Sequence, residues 1–337
     1  MIGGRWARVV ALAFMLLTLT GHAGARAAAQ GSPVAGDAPL GVAVSFSILA
    51  DLVANVGGDA VTVSVLVPAG SDAHTFEPSP DDIAMIEAAE VLFENGLGFE
   101  PWLDDLYDAS GSVAERVVVT DGLDLIETGD ANEDDHAAED DHDDGEGSGE
   151  DEGDHADGEH DPHVWHDVAN AIAITGTIRD ALTRVDPANA ATYAANADIA
   201  LASLADLDAF VVSQVAGLAE DRRRLVTSHD TFGYFARRYG FEVIGTALDS
   251  MSTESGDPPA QQIVGLVDAI QAAGVPAIFA ENVSNPDLME SIAAEAGVEL
   301  APTLYTDALG EPGGDADTYD EIIRANVTTI VTALGQG

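Results

Sequence analysis

The sequence contains no cysteine and no lysine among its 337 residues. Without cysteine, disulfide bonds, thiolate nucleophiles and thiolate metal ligands are all excluded. Basic residues are scarce, because twelve arginines face 60 acidic residues and give a formal charge of −48. Nucleic acids and anionic lipid surfaces both require a basic face, so this balance argues against either as a partner. Any metal site in the chain must be built from histidine and carboxylate side chains.

Histidine supplies the nitrogen ligands that this chain can offer a metal, and its nine copies are unevenly placed. His74 and His229 stand alone in the sequence, and His22 lies in the N-terminal segment. The others form a cluster in the sequence: His136, His142, His155, His160, His163 and His166. This distribution is the most informative feature of the composition.

The N-terminal segment, residues 1–29, is typical of a cleavable signal peptide. Two arginines precede an apolar run from Val9 to Thr20, which is shorter than the ~20 residues needed to span a bilayer. Ala27-Ala28-Ala29 then fits a signal-peptidase site. An uncleaved membrane anchor is the alternative. Because no cysteine follows the apolar run, we expect an exported, periplasmic or otherwise extracytoplasmic protein without a lipid anchor.

Residues 130–161 form an acidic, low-complexity insert. It contains 17 acidic residues and four histidines but no large apolar side chain. Because nothing in it could bury apolar surface, we expect a solvated, disordered loop. Its four histidines are candidate auxiliary ligands that would collect zinc weakly: His136, His142, His155 and His160. A neutral insertion with incidental histidines is the alternative.

The rest of the chain alternates short apolar strands with amphipathic helices, which predicts an α/β fold with parallel sheets flanked by helices. The strand candidates are Leu40–Val44, Val61–Val67, Val91–Phe93, Arg116–Thr120, Leu225–Ser228, Phe241–Thr246, Ala277–Phe279 and Glu299–Ala301. Between the two groups of strands runs an alanine- and leucine-rich helical pattern without interior proline. We therefore predict an N-terminal lobe (38–185), a linking helix (186–220) and a C-terminal lobe (221–337).

Four polar residues follow or flank predicted elements of the two lobes. His74 comes after the strand that ends at Val67, His163 precedes a helix, His229 follows a strand and Asp307 follows the last strand. Ligands of open parallel sheets bind beyond the carboxyl ends of the strands. Two residues come from each lobe, so one ion could lie in the cleft between the lobes. Taken singly, each residue is more often an exposed, capping or turn residue than a metal ligand.

Several motifs occur together in a recognisable order. They are Pro68-Ala69-Gly70, Asp72-Ala73-His74, Pro78-Ser79-Pro80, Asn95-Gly96-Leu97-Gly98-Phe99-Glu100, Asp161-Pro162-His163-Val164-Trp165, Ser228-His229-Asp230-Thr231-Phe232-Gly233-Tyr234-Phe235, Ile278-Phe279-Ala280-Glu281 and Leu304-Tyr305-Thr306-Asp307-Ala308-Leu309-Gly310. In them the chain resembles the zinc/manganese-binding branch of bacterial ABC-transporter solute-binding proteins. That resemblance implies two α/β lobes bridged by one long, rigid helix, with metal ligands at His74, His163, His229 and Asp307.

The resemblance also implies a function without catalysis. Such a receptor captures a metal ion and delivers it to a membrane ABC permease with its ATPase, and we expect a monomer that could also meet a periplasmic zinc chaperone. Three imidazoles and one carboxylate suit tetrahedral Zn²⁺, whereas manganese receptors of this type often carry a second carboxylate in place of His229. A manganese receptor, a stand-alone zinc buffer or adhesin, and a secreted metallohydrolase are the alternatives.

The sequence does not decide the roles of three polar residues in or beside these motifs. His166 stands where many relatives carry an apolar residue, and we expect it at the surface rather than as a spare donor. Asp167 and Asp230 either orient imidazoles or cap helices.

Overall fold

A computed structural model describes residues 38–128, 160–248, 250–253 and 258–336. The predicted signal peptide and three of the loop histidines, His136, His142 and His155, lie outside the described residues. Within the described part of the chain, no helix combines the length and the apolar character needed to cross a membrane.

The N-terminal half is built on a parallel four-stranded sheet with the strand order β2-β1-β3-β4. Its elements are β1 (Leu40–Phe46), α1 (Ser47–Gly57), β2 (Val61–Val67), α2 (Pro80–Ala88), β3 (Val91–Glu94), α3 (Leu103–Ser110) and β4 (Glu115–Val118). Successive side chains of a strand point to opposite faces. Val42 and Val44 accordingly enter the large core with α1, while Ala43 packs with Ile86 of α2 and Leu103 of α3. Burial on both faces explains why β1 and β3 are continuously apolar.

The start of α2 is set by its local sequence. Asp82 Oδ2 accepts hydrogen bonds from the backbone nitrogen and the hydroxyl of Ser79, both at 2.7 Å, and Pro80 occupies the first turn. This reciprocal capping satisfies amide groups that have no partner inside the helix.

Two helices connect the halves: α4 (Val168–Val185) and α5 (Ala190–Val215). A 3-10 turn over Pro187–Asn189 separates them, so the long helix begins at Ala190, four residues after the predicted start. Helix α5 is 26 residues long and packs against α1 of the first half, against α4 and against the last helix of the chain. It therefore supports both halves along its length.

The C-terminal half contains two parallel pairs of strands. Its elements are β5 (Arg224–Thr227), α6 (Gly233–Tyr239), β6 (Glu242–Thr246), α7 (Ala260–Ala273), β7 (Ala277–Glu281), α8 (Asp287–Ala296), β8 (Glu299–Leu304) and α9 (Tyr319–Gly335). Pairs β5-β6 and β7-β8 are separate two-stranded sheets, although β5 lies beside β7. The predicted α/β class is confirmed, with this division of the second sheet as a refinement.

One apolar core runs through both halves and includes residues from α1, α4, α5, β5, β7 and α9. The carboxyl ends of β2, β3, β5, β7 and β8 lead into the segments that carry the polar motifs. This arrangement gathers those motifs into one place.

Candidate metal centre

His74 lies on the loop after β2 and is held by its neighbour Asp72. Asp72 Oδ1 accepts the backbone N–H of His74 at 2.9 Å, and Asp72 Oδ2 accepts the hydroxyl of Thr75 at 3.0 Å. The ring of Phe99 packs edge-on against the buried imidazole, with 4.8 Å between ring centroids. Among the described residues, Nε2 of the His74 ring has no hydrogen-bond partner.

His163 is oriented by Asp161, the last residue of the acidic insert. Asp161 Oδ1 lies 2.8 Å from His163 Nδ1 and also accepts the His163 backbone N–H at 2.9 Å. Asn95 Nδ2 donates to the carbonyl of Pro162 at 3.0 Å, which fixes the same loop from the end of β3. A carboxylate at Nδ1 favours the tautomer that donates from Nδ1, and that tautomer presents Nε2 as the metal-binding nitrogen.

His229, directly beyond β5, is held by Glu281 at the end of β7. Glu281 Oε1 accepts the backbone N–H groups of Ser228 at 2.8 Å and His229 at 3.1 Å. Its Oε2 contacts His229 Nδ1. The carboxylate thus joins the two strand pairs of the C-terminal half and leaves His229 Nε2 facing Asp307.

Asp307 follows β8 and is completely buried. Its Oδ2 lies 3.1 Å from His229 Nε2 and 3.6 Å from His74 Nε2, while its Oδ1 lies 3.9 Å from His163 Nε2. The preceding carbonyl, of Thr306, accepts the indole N–H of Trp165 at 2.8 Å. Asp307 is therefore placed where the two halves meet.

The four residues His74, His163, His229 and Asp307 each offer one ligand atom, and these atoms all lie within 4.8 Å of one another. Within the ranges that the structure describes, His74 Nε2, His163 Nε2, His229 Nε2 and Asp307 Oδ2 have no directional hydrogen-bond partner. Buried polar atoms are normally paired, so a convergent group of unpaired ones indicates a ligand. Three nitrogens and one oxygen match the donor set and number that tetrahedral Zn²⁺ takes.

Within this cluster, the pKa values of His229 and Asp307 are shifted in opposite directions. Burial alone would lower the pKa of His229, but the negative charges of Glu281 and Asp307 raise that pKa well above its ordinary value. Burial would likewise raise the pKa of Asp307, but the neighbouring imidazoles, His229 foremost, hold it well below its usual range. In the metal-free protein the two residues are therefore an ion pair.

His166 is buried, and the expectation that it lies at the surface was wrong. The 3-10 turn Val164–His166 directs its ring inward, where it stacks on Phe232 at a centroid distance of 4.6 Å. Its Nε2 lies 3.2 Å from the hydroxyl of Thr231. Burial lowers the pKa of His166 to about 3, so the imidazole is neutral.

The end of the acidic insert is also folded, contrary to the expectation that residues 130–161 are solvated throughout. His160 forms an isolated antiparallel bridge with Glu127 and lies outside the four-residue cluster. Asp161 is buried, and its carbonyl accepts the hydroxyl of Tyr234 at 2.9 Å. A β carbon on Gly233 would lie only 2.6 Å from Asp161 Oδ2, so glycine at this position makes room for the carboxylate.

Asp161 and Glu281 are the site residues to which sequence reasoning assigned no role. Their signal was their position, two residues before His163 and at the end of a strand. The two aspartates whose roles the sequence did not decide are Asp167 and Asp230. Asp167 caps α4 by accepting the Ala169 N–H at 2.8 Å. Asp230 donates its backbone N–H to the carbonyl of Ser250 at 3.0 Å.

Comparisons with known proteins agree with this architecture. The family described as ZnuA, zinc-uptake complex component A, periplasmic, matches residues 42–333. The manganese-binding lipoprotein MntA of Halalkalibacterium halodurans is 33% identical over 297 residues, covering 88% of this chain and 89% of the relative. The iron-binding protein YfeA of Yersinia pestis is 28% identical, covering 88% and 86%. The periplasmic zinc-binding protein TroA of Treponema pallidum superposes with a TM-score of 0.75 at 26% identity, covering 88% of this chain and 99% of TroA.

These names bear on two expectations. They include manganese, iron and zinc, so they favour a transported metal ion without selecting one. Several relatives are named lipoproteins, so the expected absence of a lipid anchor receives no support from them and stays a prediction.

Proposed function

The chain belongs to the zinc-uptake complex component A family of extracytoplasmic metal-binding proteins, and on that premise we propose that it captures Zn²⁺ and delivers it to an ABC permease and its ATPase. Members of this family are substrate-binding components of metal transporters and not enzymes. The metal is the cargo, and its proposed ligands are His74, His163, His229 and Asp307.

One observation supports the choice of zinc: in the described residues, three imidazole nitrogens and one carboxylate oxygen without a directional hydrogen-bond partner converge in a buried cluster. Zn²⁺ favours four ligands of this mixed type, whereas Mn²⁺ favours oxygen donors. Nitrogen-rich sites also bind zinc more tightly than manganese or iron(II) in the Irving–Williams order. Two imidazoles are backed by the carboxylates of Asp161 and Glu281, which fix the tautomer and strengthen the ligand.

A manganese or iron receptor is the second candidate, because relatives that cover most of the chain carry those metals in their names. A stand-alone zinc buffer would share the same site but would need no permease. We retain the expected monomer, the contact with a periplasmic zinc chaperone and the weak zinc sites of the acidic insert as parts of the proposal still to be tested.

The test begins with protein produced from Gln30 onward, stripped with a chelator and offered zinc, manganese and iron(II) in competition. We expect one tightly bound zinc per chain by elemental analysis. His74→Ala and His229→Ala should each weaken zinc binding by more than about 100-fold, beyond the loss typical of residues that only orient a ligand. His160→Ala, outside the cluster, should affect only weak zinc binding and is the histidine control for the tight site. Preferential retention of manganese or iron would contradict the zinc assignment.

The transport part of the proposal requires a second measurement. Zinc-loaded protein added to vesicles that contain the cognate permease and ATPase should support ATP-dependent zinc uptake, and the His229→Ala protein should not. Uptake that is unaffected by the protein would instead favour the stand-alone buffer.

A further inference from the structure

We propose that His166 and Thr231 are positioning residues that hold Asp307 to a single ligating oxygen and so bias the site toward four-coordinate zinc. This inference rests on the proposed function, because it takes Asp307 as a metal ligand. Neither His166 nor Thr231 belongs to the four-residue cluster.

The three side chains form a buried row. His166 Nε2 lies 3.2 Å from Thr231 Oγ1, which in turn lies 3.5 Å from Asp307 Oδ1. His166 is 1% exposed, and both Thr231 and Asp307 are 0% exposed. Phe232 stacks on the His166 ring with an interplanar angle of 29°, so the imidazole is held in place.

The supply of protons sets the direction of the hydrogen bonds along this row. A threonine hydroxyl has one hydrogen, and a neutral imidazole has one N–H. If His166 carries its hydrogen on Nε2, it donates to Thr231, and the threonine hydroxyl is free to donate to the Asp307 carboxylate. The opposite tautomer would leave a buried N–H at Nδ1, which has no partner in the parts of the chain that the structure describes.

The first tautomer is the favourable one. It leaves only an unused acceptor at His166 Nδ1, and buried acceptors without a partner are more readily tolerated than buried N–H groups. It also lets the Thr231 hydroxyl donate toward the Asp307 carboxylate across 3.5 Å. His166 therefore acts on Asp307 through the hydroxyl of Thr231.

The number of Asp307 oxygens available to a metal depends on which of them Thr231 contacts. Thr231 faces Oδ1, while Oδ2 lies nearest to His229 and His74 and has no directional hydrogen-bond partner in the described ranges. A carboxylate held in this way offers one oxygen to an ion, for a total of four donors. Mn²⁺, which favours more oxygen ligands, would gain from a second Asp307 oxygen that the Thr231 hydroxyl occupies.

Paired variants test this row of hydrogen bonds from His166 through Thr231 to Asp307, which we call the relay. Thr231→Val removes the hydroxyl and Thr231→Ser retains it. His166→Phe keeps the stacking on Phe232 without a donor, and His166→Gln places an amide N–H near the former Nε2. Thr175→Val is a matched control, because the buried Thr175 hydroxyl donates to the carbonyl of Ala171 within α4.

The measurements are the ratio of zinc to manganese affinity and the visible absorption of the Co²⁺-substituted protein, which reports coordination number. Thr231→Val and His166→Phe should each lower the zinc-to-manganese ratio by about 10-fold or more and weaken the tetrahedral Co²⁺ bands. Thr231→Ser, His166→Gln and Thr175→Val should stay close to the unmodified protein. The double variant should lose little more than either single variant, because both act through one chain of bonds.

Unchanged ratios and Co²⁺ spectra in folded Thr231→Val and His166→Phe proteins would overturn the relay. If those variants do not fold, nitrogen NMR of His166 in the unmodified, zinc-loaded protein decides: hydrogen on Nε2 supports the relay, and hydrogen on Nδ1 overturns it. Failure of the proposed function is a separate outcome, since it would appear as the absence of a tight zinc site in the unmodified protein.

Discussion

One carboxylate oxygen of Asp161 contacts His163 at two points. It lies 2.8 Å from the ring Nδ1 and accepts the backbone N–H of the same histidine at 2.9 Å. Both residues are buried, so water does not compete for these contacts. The pair fixes the tautomer and the direction of the ring together. His163 Nε2 consequently faces the other three proposed ligands without any rearrangement.

We therefore expect Asp161→Asn to lower zinc affinity by about 10-fold and Asp161→Ala by up to about 100-fold, the range found for residues that orient a metal-bound histidine. Asparagine keeps an oxygen that accepts from Nδ1 but loses the charge, which explains the graded effect. Chelator-competition titration measures both affinities. Asp198→Asn, at an exposed position on α5, is the control. Equal affinities in all four proteins would show that Asp161 has no orienting role.

A second carboxylate controls His229 by a different route. Replacement of Glu281 by Gln keeps an oxygen for the backbone N–H groups of Ser228 and His229 but presents an N–H to His229 Nδ1. Nδ1 must then accept, so the neutral ring keeps its one proton on Nε2, the atom proposed to bind the metal. We expect Glu281→Gln to weaken zinc binding by at least about 10–100-fold.

Two further measurements check the explanation for Glu281→Gln. Nitrogen NMR of the metal-free proteins should report a protonated His229 Nδ1 in the unmodified protein and an unprotonated Nδ1 in Glu281→Gln. Exposed Glu290→Gln in α8 should bind zinc normally. Zinc affinity retained in Glu281→Gln alongside a proton on Nε2 would contradict the proposed ligand atom.

The sequence identified the four clustered residues because each stands beyond a strand or before a helix, and parallel α/β topology brings such positions together. It could not identify the partners of those residues in the same way. Glu281 meets His229 across 52 positions of sequence, a contact that only the packing of β7 beside β5 creates. Asp161 ends a run whose composition is that of a solvated loop, yet the bridge between Glu127 and His160 and the bond from Tyr234 fold its last two residues.

The position of His166 shows a related limit. An i, i+3 spacing with His163 does not tell which residue faces inward, because the direction depends on the 3-10 turn and on the aromatic ring that covers it. The start of α5 differs from its predicted position for a local reason. Pro187 begins a 3-10 turn, and the regular helix starts only after Asn189.

The stability of the metal-free protein should depend on pH through Glu100. Its carboxylate accepts the backbone N–H groups of Asn95 at 2.8 Å and Gly96 at 3.0 Å. Burial outweighs these bonds and raises the pKa of Glu100 from 4.5 to about 7. Between these two values the folded state binds more protons than the unfolded state, so the free energy of unfolding falls as pH rises.

Compared with Glu100→Gln, the unmodified protein should lose on the order of 3 kcal/mol of unfolding free energy between pH 4.5 and pH 7. Urea denaturation at several pH values, with chelator present to exclude metal linkage, measures this difference. Exposed Glu87→Gln should follow the unmodified protein at every pH. Parallel pH curves for the unmodified and Glu100→Gln proteins would show that Glu100 ionises normally in the folded state.

Two deletions separate the roles of the acidic insert, one that stops before His160 and Asp161 and one that includes them. Removal of residues 131–157 leaves five residues between Glu127 and His160, a length that hairpin loops commonly have. It takes away His136, His142 and His155 but retains the contact of Asp161 with His163. We expect this protein to keep its tight zinc and to lose only weakly bound zinc.

Removal of residues 131–161 should have a different result, because it also deletes the carboxylate that orients His163 and the carbonyl that Tyr234 bonds. Tight zinc affinity should then fall by about 10–100-fold, in line with the Asp161 substitutions. Equilibrium dialysis over a wide range of zinc concentrations separates the tight and weak sites in both proteins. If both deletions leave the tight site intact, Asp161 is dispensable; if the shorter deletion already weakens it, residues 131–157 contribute to the tight site.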